Sequence, residues 1–385
     1  MSPQINLVTE INKEYDIVIA GAGPVGCVIA ERLASECDYK VLIVDKRAHI
    51  AGNCFDTHHE SGVLIHRYGP HYFRTNKQEL IDYLSKFTEW VPGNYIVKSS
   101  VGGELYPFPI NLLTLRQFFK KPEMTSEEAA DLLASLRLDI AEPANSEEFV
   151  LSRVGKEMYE SFYLGYTLKQ WAIHPRDLAP SVCGRIPVRL NTDSRYVDHQ
   201  FQLTPAAGFS TMFGNMISHP NIDVLLNTDF GNIKIEVNPT IATVYTGPVD
   251  EYFDFNLGKL PWRSLEFEFK EKPVEVFQEC VQINYPNEHD YTRSVEIKHV
   301  TGQQHPHTVI SYEFPCAEGD PYYPIPMEEN ANLYERYKLL ADAETEKNNV
   351  YFCGRLAEYK YFNTDEVIER ALNTFNLIRK RYEHK

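Results

Sequence analysis

The sequence predicts an α/β protein, in which a discontinuous Rossmann-type domain is interrupted by a helical bundle and an antiparallel β-sheet domain. Three features predict it. YDIVIAGAGPVGCVIAERL (15–33) reads as strand, glycine turn and helix, and KVLIV (40–44) completes a βαβ unit. Residues 111–172 turn helical. Residues 262–314 alternate apolar and polar side chains in SLEFEF, CVQINY, SVEIKH and TVISYEF, the habit of antiparallel strands. A chain of 385 residues exceeds one ordinary core. The order of element types assigns 14–90, 208–252 and 340–385 to the Rossmann-type domain and 111–180 to the helical one. The sheet domain takes 91–110, 181–207 and 253–339, and residues 1–13 form a loose, disordered tail.

Asp16–Ala20 is a strand whose centre, Ile17-Val18-Ile19, is apolar and β-branched, as burial on both faces requires. The helix after Gly26 runs to about Ser35, and Asp45 ends the second strand. A helix starts near Asn76, where Asn76 and Glu79 have capping-box spacing and Leu80, Ile81, Leu84 and Phe87 share one face. Residues 94–110 form a hairpin around Gly102 and Gly103. Thr125–Glu128 and Asn145–Glu148 offer two helix starts. Tyr159, Phe162, Tyr163, Tyr166 and Trp171 make an aromatic stripe whose spacing alone favours core packing. Residues 181–207 lose helical periodicity, and 208–252 return to strand-like runs (IDVLL, TIATVYTG). The chain closes with a strand at Val350–Cys353, a loop, and a helix buried through Val367, Ile368, Ala371, Leu372, Phe375 and Ile378.

A formal net charge of −16 repels polyanions and argues against nucleic acid, although a local arginine cluster can still hold a small phosphorylated ligand. No apolar run approaches the roughly 20 residues of a membrane span, and the first residues carry no basic-plus-apolar leader. Seven scattered cysteines show no metal-type spacing, so no metal is expected and the thiols suit the cytoplasm.

Gly21, Gly23 and Gly26 form GxGxxG between strand and helix. They allow, in turn, a tight turn, approach of backbone to a pyrophosphate, and packing of helix on strand. The helix N-terminus offers free N–H groups to the phosphates. Asp45, nineteen residues after Gly26, stands where an acid takes ribose hydroxyls. Lys46, Arg47, Gly52 and Asn53 follow that acid, and Gly354 and Arg355 follow the last strand as a second contact. This arrangement favours FAD over NAD.

In order, KRAHIAGN, IHRYGPHYFRTN, LGYTLKQW, RIPVR, VYTGPVDEYFD, YTRSVEIKH, DPYYPIP and GRLAEYKYFNTDEVI resemble the UDP-galactopyranose mutase family, from about Tyr15 to about Ile378. The resemblance implies an isomerase that interconverts pyranose and furanose forms of a nucleotide sugar, UDP-galactose first, for glycan assembly. It implies reduced FAD, a flavin N5–sugar adduct and no net redox, with a cellular reductant (a reduced nicotinamide nucleotide or a flavin reductase) and a possible homodimer. Arg185 and Arg293 match the two diphosphate-holding arginines, and Tyr323 and Tyr361 the tyrosines that donate to the same diphosphate. Phe162 and Tyr166 match the uracil platform, Trp171 the tryptophan of a mobile loop that closes the cleft, and Tyr196 another tyrosine of the site. Asn94 matches a uridine contact and His71 a histidine beside the flavin.

Three positions depart from the family pattern. Asp45 stands for a glutamate, Arg74 for a histidine close to flavin and sugar, and Asn363 for an aspartate near both. The last two change charge where sugar substituents would be read, so UDP-N-acetylgalactosamine or a dTDP-deoxysugar such as dTDP-fucose is an alternative substrate. Two different activities compete with the mutase. One is an amine-oxidase-like flavin oxidoreductase, which needs no diphosphate set; the second is a non-catalytic nucleotide-sugar binding protein.

Overall fold

The computed structural model describes residues 3–11 and 14–382. Its centre is a six-stranded parallel sheet, in the order Asn6–Leu7, Ile222–Leu225, Val41–Val44, Ile17–Ala20, Ala242–Tyr245, Val350–Phe352. The four central strands are buried along their whole length, which accounts for their mostly apolar sequences; the buried Asp223 among them accepts the Tyr15 hydroxyl at 2.6 Å. Asn6–Leu7, assigned by sequence to a loose tail, pairs with Ile222–Leu225 as an edge strand.

The helix Pro24–Cys37 lies on this sheet and packs against Thr364–Tyr382. It begins two residues before Gly26, with Pro24 in its first turn, where the missing N–H has no intrahelical partner to lose. Thr364–Tyr382 buries Ile368, Ala371, Phe375 and Ile378, with Val367 and Leu372 partly covered at the same core. Asn76 does not cap the following helix. That helix is Gln78–Leu84, it starts from Lys77, and the Asn76 side chain instead accepts the Gln200 N–H at 2.8 Å. A long-range backbone partner has taken the oxygen that the local motif would use.

The second large sheet has seven strands, ordered Tyr323–Pro324, Trp262–Lys272, Thr308–Cys316, Arg293–Val295, Gln282–Asn284, Val97–Val101, Glu104–Phe108. All pairs are antiparallel except one: Gln282–Asn284 runs parallel to Val97–Val101, so the hairpin 97–108 extends a sheet that the sequence pattern makes wholly antiparallel. A third, small sheet joins Phe73–Thr75, Phe201–Pro205 and Trp90–Pro92. It ties 201–205, expected in the sheet domain, to strands on either side of Gln78–Leu84.

The helical module is Leu112–Phe118, Ser126–Leu136, Ser146–Met158 and Gly165–Trp171. Thr125 and Glu128 form a reciprocal capping box, and Asn145 accepts the Glu148 N–H, as the motifs require. Gly155 breaks the third helix at φ 76, and a π turn, Tyr159–Leu164, follows it. Beyond this break Phe162 joins a ring cluster with Tyr106 and Phe118, and both Phe162 and Tyr166 border one cleft. Two elements lack a sequence signal. Phe209–Met216 lies hidden among strand-like runs, and Glu328–Asn348 buries only Asn330, Tyr337 and Ala341, too few for an apolar stripe. The second crosses the 339/340 boundary. Among the described residues, no helix is long and apolar enough to cross a membrane.

Gly26 gives a test of the strand–helix contact. A β-carbon there would lie 1.9 Å from the Gly21 carbonyl oxygen. Glycine to alanine inside an exposed helix gains about 1 kcal/mol, but Gly26→Ala is expected to lose roughly 3 kcal/mol by overpacking. Urea denaturation measures it; a gain in stability would contradict the contact.

Candidate active site

Two clefts open on the sheet edges. The first is lined by the glycine turn (Gly21, Gly23), by Asp45, Lys46 and Arg47, by Gly52, Asn53 and Cys54, and by Gly354 and Arg355. It lies beyond the carboxyl ends of the parallel strands, the ligand position of open α/β sheets. Asp45 braces the turn: its two carboxylate oxygens accept the Ala22 N–H at 2.7 Å and the Arg47 N–H at 2.8 Å. Each oxygen keeps a further lone pair for a ribose hydroxyl. Arg47 donates to Asn53 (2.9 Å) and Asp320 (2.8 Å), with its guanidinium 4.4 Å from the Tyr68 ring centre. The loop at Gly52 approaches the glycine turn so closely that a β-carbon on Gly52 would lie 2.9 Å from the Gly23 Cα. Two bare backbones therefore face one opening at a helix N-terminus, a cradle that fits the pyrophosphate of a flavin adenine dinucleotide. Gly26 is outside the cleft and serves the helix packing described above.

The second cleft is larger, about 530 Å³, within the range of small-molecule sites. It meets the first at Asn53, His71, Arg355, Phe362 and Thr364, which line both. Phe162, Tyr166 and Trp171 form its wall on the helical module. Trp171 is the last residue of a helix and is buried at 8% exposure, packed edge-on to Tyr323 at 6.1 Å, whereas the resemblance implies a mobile loop. The opposite wall carries Arg293, whose Nε donates to Glu313 at 2.6 Å and whose Nη2 donates to the Tyr323 hydroxyl at 3.2 Å. Glu313 is fully buried, and its second oxygen has no partner among the described residues. Burial alone would weaken the Arg293 cation, but Glu313 more than offsets it and holds the guanidinium charged.

Tyr361 has two guanidiniums over its ring, Arg185 at 4.7 Å and Arg355 at 4.8 Å from the centre, and stacks on Tyr323 at 6.0 Å. Burial would push its hydroxyl up, but Arg185, Arg355, Arg74 and Arg293 together hold it below the usual phenol range. The two charge-changing departures touch each other: Arg74 Nη2 donates to the Asn363 side-chain oxygen at 2.6 Å, and its Nη1 to the Tyr72 hydroxyl at 3.3 Å. Asn363, expected at the cofactor, lines the second cleft and not the first. An aspartate there would form an ion pair with Arg74; the amide leaves the guanidinium charge free to meet a ligand.

His71 Nδ1 lies 2.8 Å from the Gly69 carbonyl oxygen, which places its proton there and leaves Nε2 as an acceptor. The His71 N–H donates to His66 Nδ1 at 3.0 Å. Burial pushes both rings down, His71 to about 3 and His66 to about 4, so both are neutral at pH 7.

Tyr196 lines the cleft, but Asn94 does not: it is exposed, and its neighbour Tyr95 is buried against the site, stacked on Tyr72 at 4.6 Å. Tyr95 donates to Gln282 at 2.7 Å, and Gln282 to Asn284 at 2.7 Å. These residues, with Tyr72, Gln170, Tyr322 and His199, are among the lining residues that sequence reasoning missed. Most arrive singly from separate segments. Gln170 alone had a local signal, four residues after Tyr166 on one helix face. Its side-chain Nε2 is buried with no partner among the described residues, a donor that suits a polar ligand.

Comparison with known proteins agrees with this geometry. A family model described as "UDP-galactopyranose mutase" matches residues 161–361, and one described as "NAD(P)-binding Rossmann-like domain" matches 19–87. The chain is 38% identical to a probable UDP-galactopyranose mutase of Klebsiella pneumoniae, over 93% of each chain. It is 35% identical to a dTDP-fucopyranose mutase of Escherichia coli, over 94% of this chain and 97% of that one. A crystal structure of reduced UDP-galactopyranose mutase superposes with a TM-score of 0.74 at 16% identity, covering 97% of this chain and 95% of that chain, and so shares the fold.

The buried histidines predict an acid limb of stability. An unfolded histidine titrates near 6.5. Both folded values are lower, so the unfolded chain binds more protons and stability falls as pH drops from about 6.5 toward 4. His66→Gln should remove about 2 kcal/mol of the loss between pH 7 and 5, read from urea midpoints at each pH. Parallel pH profiles for the two proteins would contradict this. The chain belongs to the UDP-galactopyranose mutase family.

Proposed function

We propose that this family member interconverts the pyranose and furanose forms of a nucleotide sugar, UDP-galactose first, with reduced FAD and no net oxidation. The observation that carries the reading is the meeting of the two clefts at Arg355 and His71, with Arg185, Arg293, Tyr323 and Tyr361 gathered beside that junction. Gly21, Gly23, Asp45, Arg47, Gly52, Asn53, Gly354 and Arg355 would hold the cofactor. A reduced flavin held there would supply an electron-rich nucleophile.

The chain's own residues do the rest by binding and orienting. Phe162 and Tyr166 offer ring faces to the uracil. Arg293, kept charged by Glu313, and Arg185, exposed at the rim over Tyr361, pair the diphosphate oxygens as the sugar–phosphate bond breaks. The hydroxyls of Tyr323 and Tyr361 donate to the same oxygens. Neutral His71 presents Nε2 as an acceptor near the junction. The free thiols support a reducing, cytoplasmic setting, in which a reduced nicotinamide nucleotide or a flavin reductase would keep the cofactor reduced.

The Arg74–Asn363 contact favours a second reading of the substrate. A fixed cation held by a neutral amide, beside Tyr72 and Tyr196, can donate to a carbonyl such as that of an N-acetyl group. The same chemistry on UDP-N-acetylgalactosamine follows, and the 35% identity to a dTDP-fucopyranose mutase supports a dTDP-deoxysugar as a further alternative.

Anaerobic incubation of the dithionite-reduced, flavin-bound protein with UDP-galactopyranose tests the reading. A chromatographically distinct isomer of unchanged mass should form only under reduction. Arg293→Ala should lower kcat/KM by about 10²–10³-fold, the cost of one transition-state charge contact. With bound flavin but no isomer from UDP-galactose, UDP-N-acetylgalactosamine or dTDP-fucose, the mutase reading fails. Arg74→His should shift preference toward UDP-galactose over the N-acetylated sugar, and an unchanged ratio removes Arg74 from substrate selection.

A further inference from the structure

Lys169 is absorbed by none of the roles above, yet it has the densest polar environment near the cleft. It lies on Gly165–Trp171, between the cleft-lining Tyr166 and Trp171, but faces away from the cleft. Its ammonium donates to the carbonyl oxygens of Glu288 (3.0 Å), His289 (3.2 Å) and Tyr291 (3.2 Å), and to that of Tyr285. Four carbonyls of one turn thus converge on three N–H bonds, as they would around a bound monovalent cation. Gly165, one helical turn earlier, faces the same segment: a β-carbon there would stand 2.4 Å from the Pro286 carbonyl oxygen. The Asn287 side chain returns a bond to the Ser161 carbonyl oxygen at 3.0 Å. The turn leads directly into the strand Arg293–Val295, whose first residue is the arginine paired with Glu313.

The two walls of the second cleft share an apolar core and the Arg263–Gln170 bond, and the Lys169 cluster is the polar tie that reaches the segment leading into Arg293. One wall is the aromatic helix and the other the strand that carries Arg293. We propose that Lys169 is a positioning residue that fixes the spacing between the base-binding wall and the diphosphate-binding arginine. The proposal rests on the mutase reading of the cleft. A nucleoside diphosphate spans both walls, so a shift of one against the other weakens its binding even though Lys169 never touches it. Half-burial pushes the Lys169 ammonium below its ordinary range, while Glu288 and Asp290 act to keep it charged.

The experiment uses the full-length, flavin-bound protein. Binding of UDP is titrated, and KM and kcat are measured under reduction, for wild type and Lys169→Met. Methionine keeps the apolar stem and removes the ammonium. Kd for UDP and KM should rise about tenfold, as for a displacement of an ångström or less in a positioning contact. Bound flavin per chain should be unchanged and kcat should fall less than about threefold, because groups at the flavin junction stay in place. An unchanged UDP affinity, or a loss of kcat alone, overturns the proposal. Should Lys169→Met fail to fold or lose flavin, the exposed Asn287→Ala decides: removal of the second tie should raise Kd about threefold, and an unchanged Kd overturns it. Failure of the wild type to bind UDP or isomerise any nucleotide sugar would instead sink the mutase reading on which the proposal stands.

Discussion

Four guanidinium groups act on one phenol, Tyr361, and the molecule is arranged around that crowding. Arg185 and Arg355 both lie over the ring, at 4.7 and 4.8 Å from its centre, while Arg74 and Arg293 reach it through charge. Like charges this close repel each other strongly in a half-buried cleft. Glu313 is fully buried and pairs with one of the four; the remaining positive charge is the condition for holding an anion. A chain with a formal net charge of −16 keeps this concentrated exception in one place.

The discontinuous fold follows from that requirement. Arg355 follows the last strand of the parallel sheet, Arg293 begins a strand of the seven-stranded sheet, Arg185 caps a four-residue helix after the helical module, and Arg74 lies in the three-stranded sheet. No single element could present four long cations to one point without their stems colliding. The parallel sheet meanwhile opens the glycine turn toward the same junction, so that His71, Arg355 and Phe362 border both clefts. The one parallel pair in the second sheet brings the hairpin 97–108 against the aromatic wall.

The parts legible in the sequence were those with a local physical cause. The GxGxxG turn, the buried apolar strands, the two helix caps and the Gly102–Gly103 hairpin each depend on residues a few positions apart. Asn76 reads as a cap and is not one, because a partner 124 residues away claims its oxygen. Glu328–Asn348 leaves no apolar period because it is solvated on most sides. In the cleft, spacing alone leaves the aromatic stripe as core, and Phe162 does pack in a ring cluster; that Phe162 and Tyr166 both also border the cleft is implied by the family resemblance and not by their spacing. Asn94 and Tyr95 are adjacent on extended chain, so one must point away when its neighbour points in, and a slip of one position chooses the wrong one. The Arg74–Asn363 bond joins residues 289 apart, and each reads as an isolated oddity until the fold brings them together.

The most direct test of the arginine-centred account is the affinity of the flavin-bound protein for UDP, UMP and uridine, by calorimetric titration at fixed salt. If the guanidinium cluster is a diphosphate site, affinity should rise at each added phosphate, with UDP bound at least about 100-fold more tightly than uridine, since charge-assisted bonds contribute about 1.5–3 kcal/mol each. That ratio should collapse when Arg185 and Arg293 are both replaced by alanine. Equal affinities for the three ligands, or a ratio indifferent to the loss of both arginines, would contradict it.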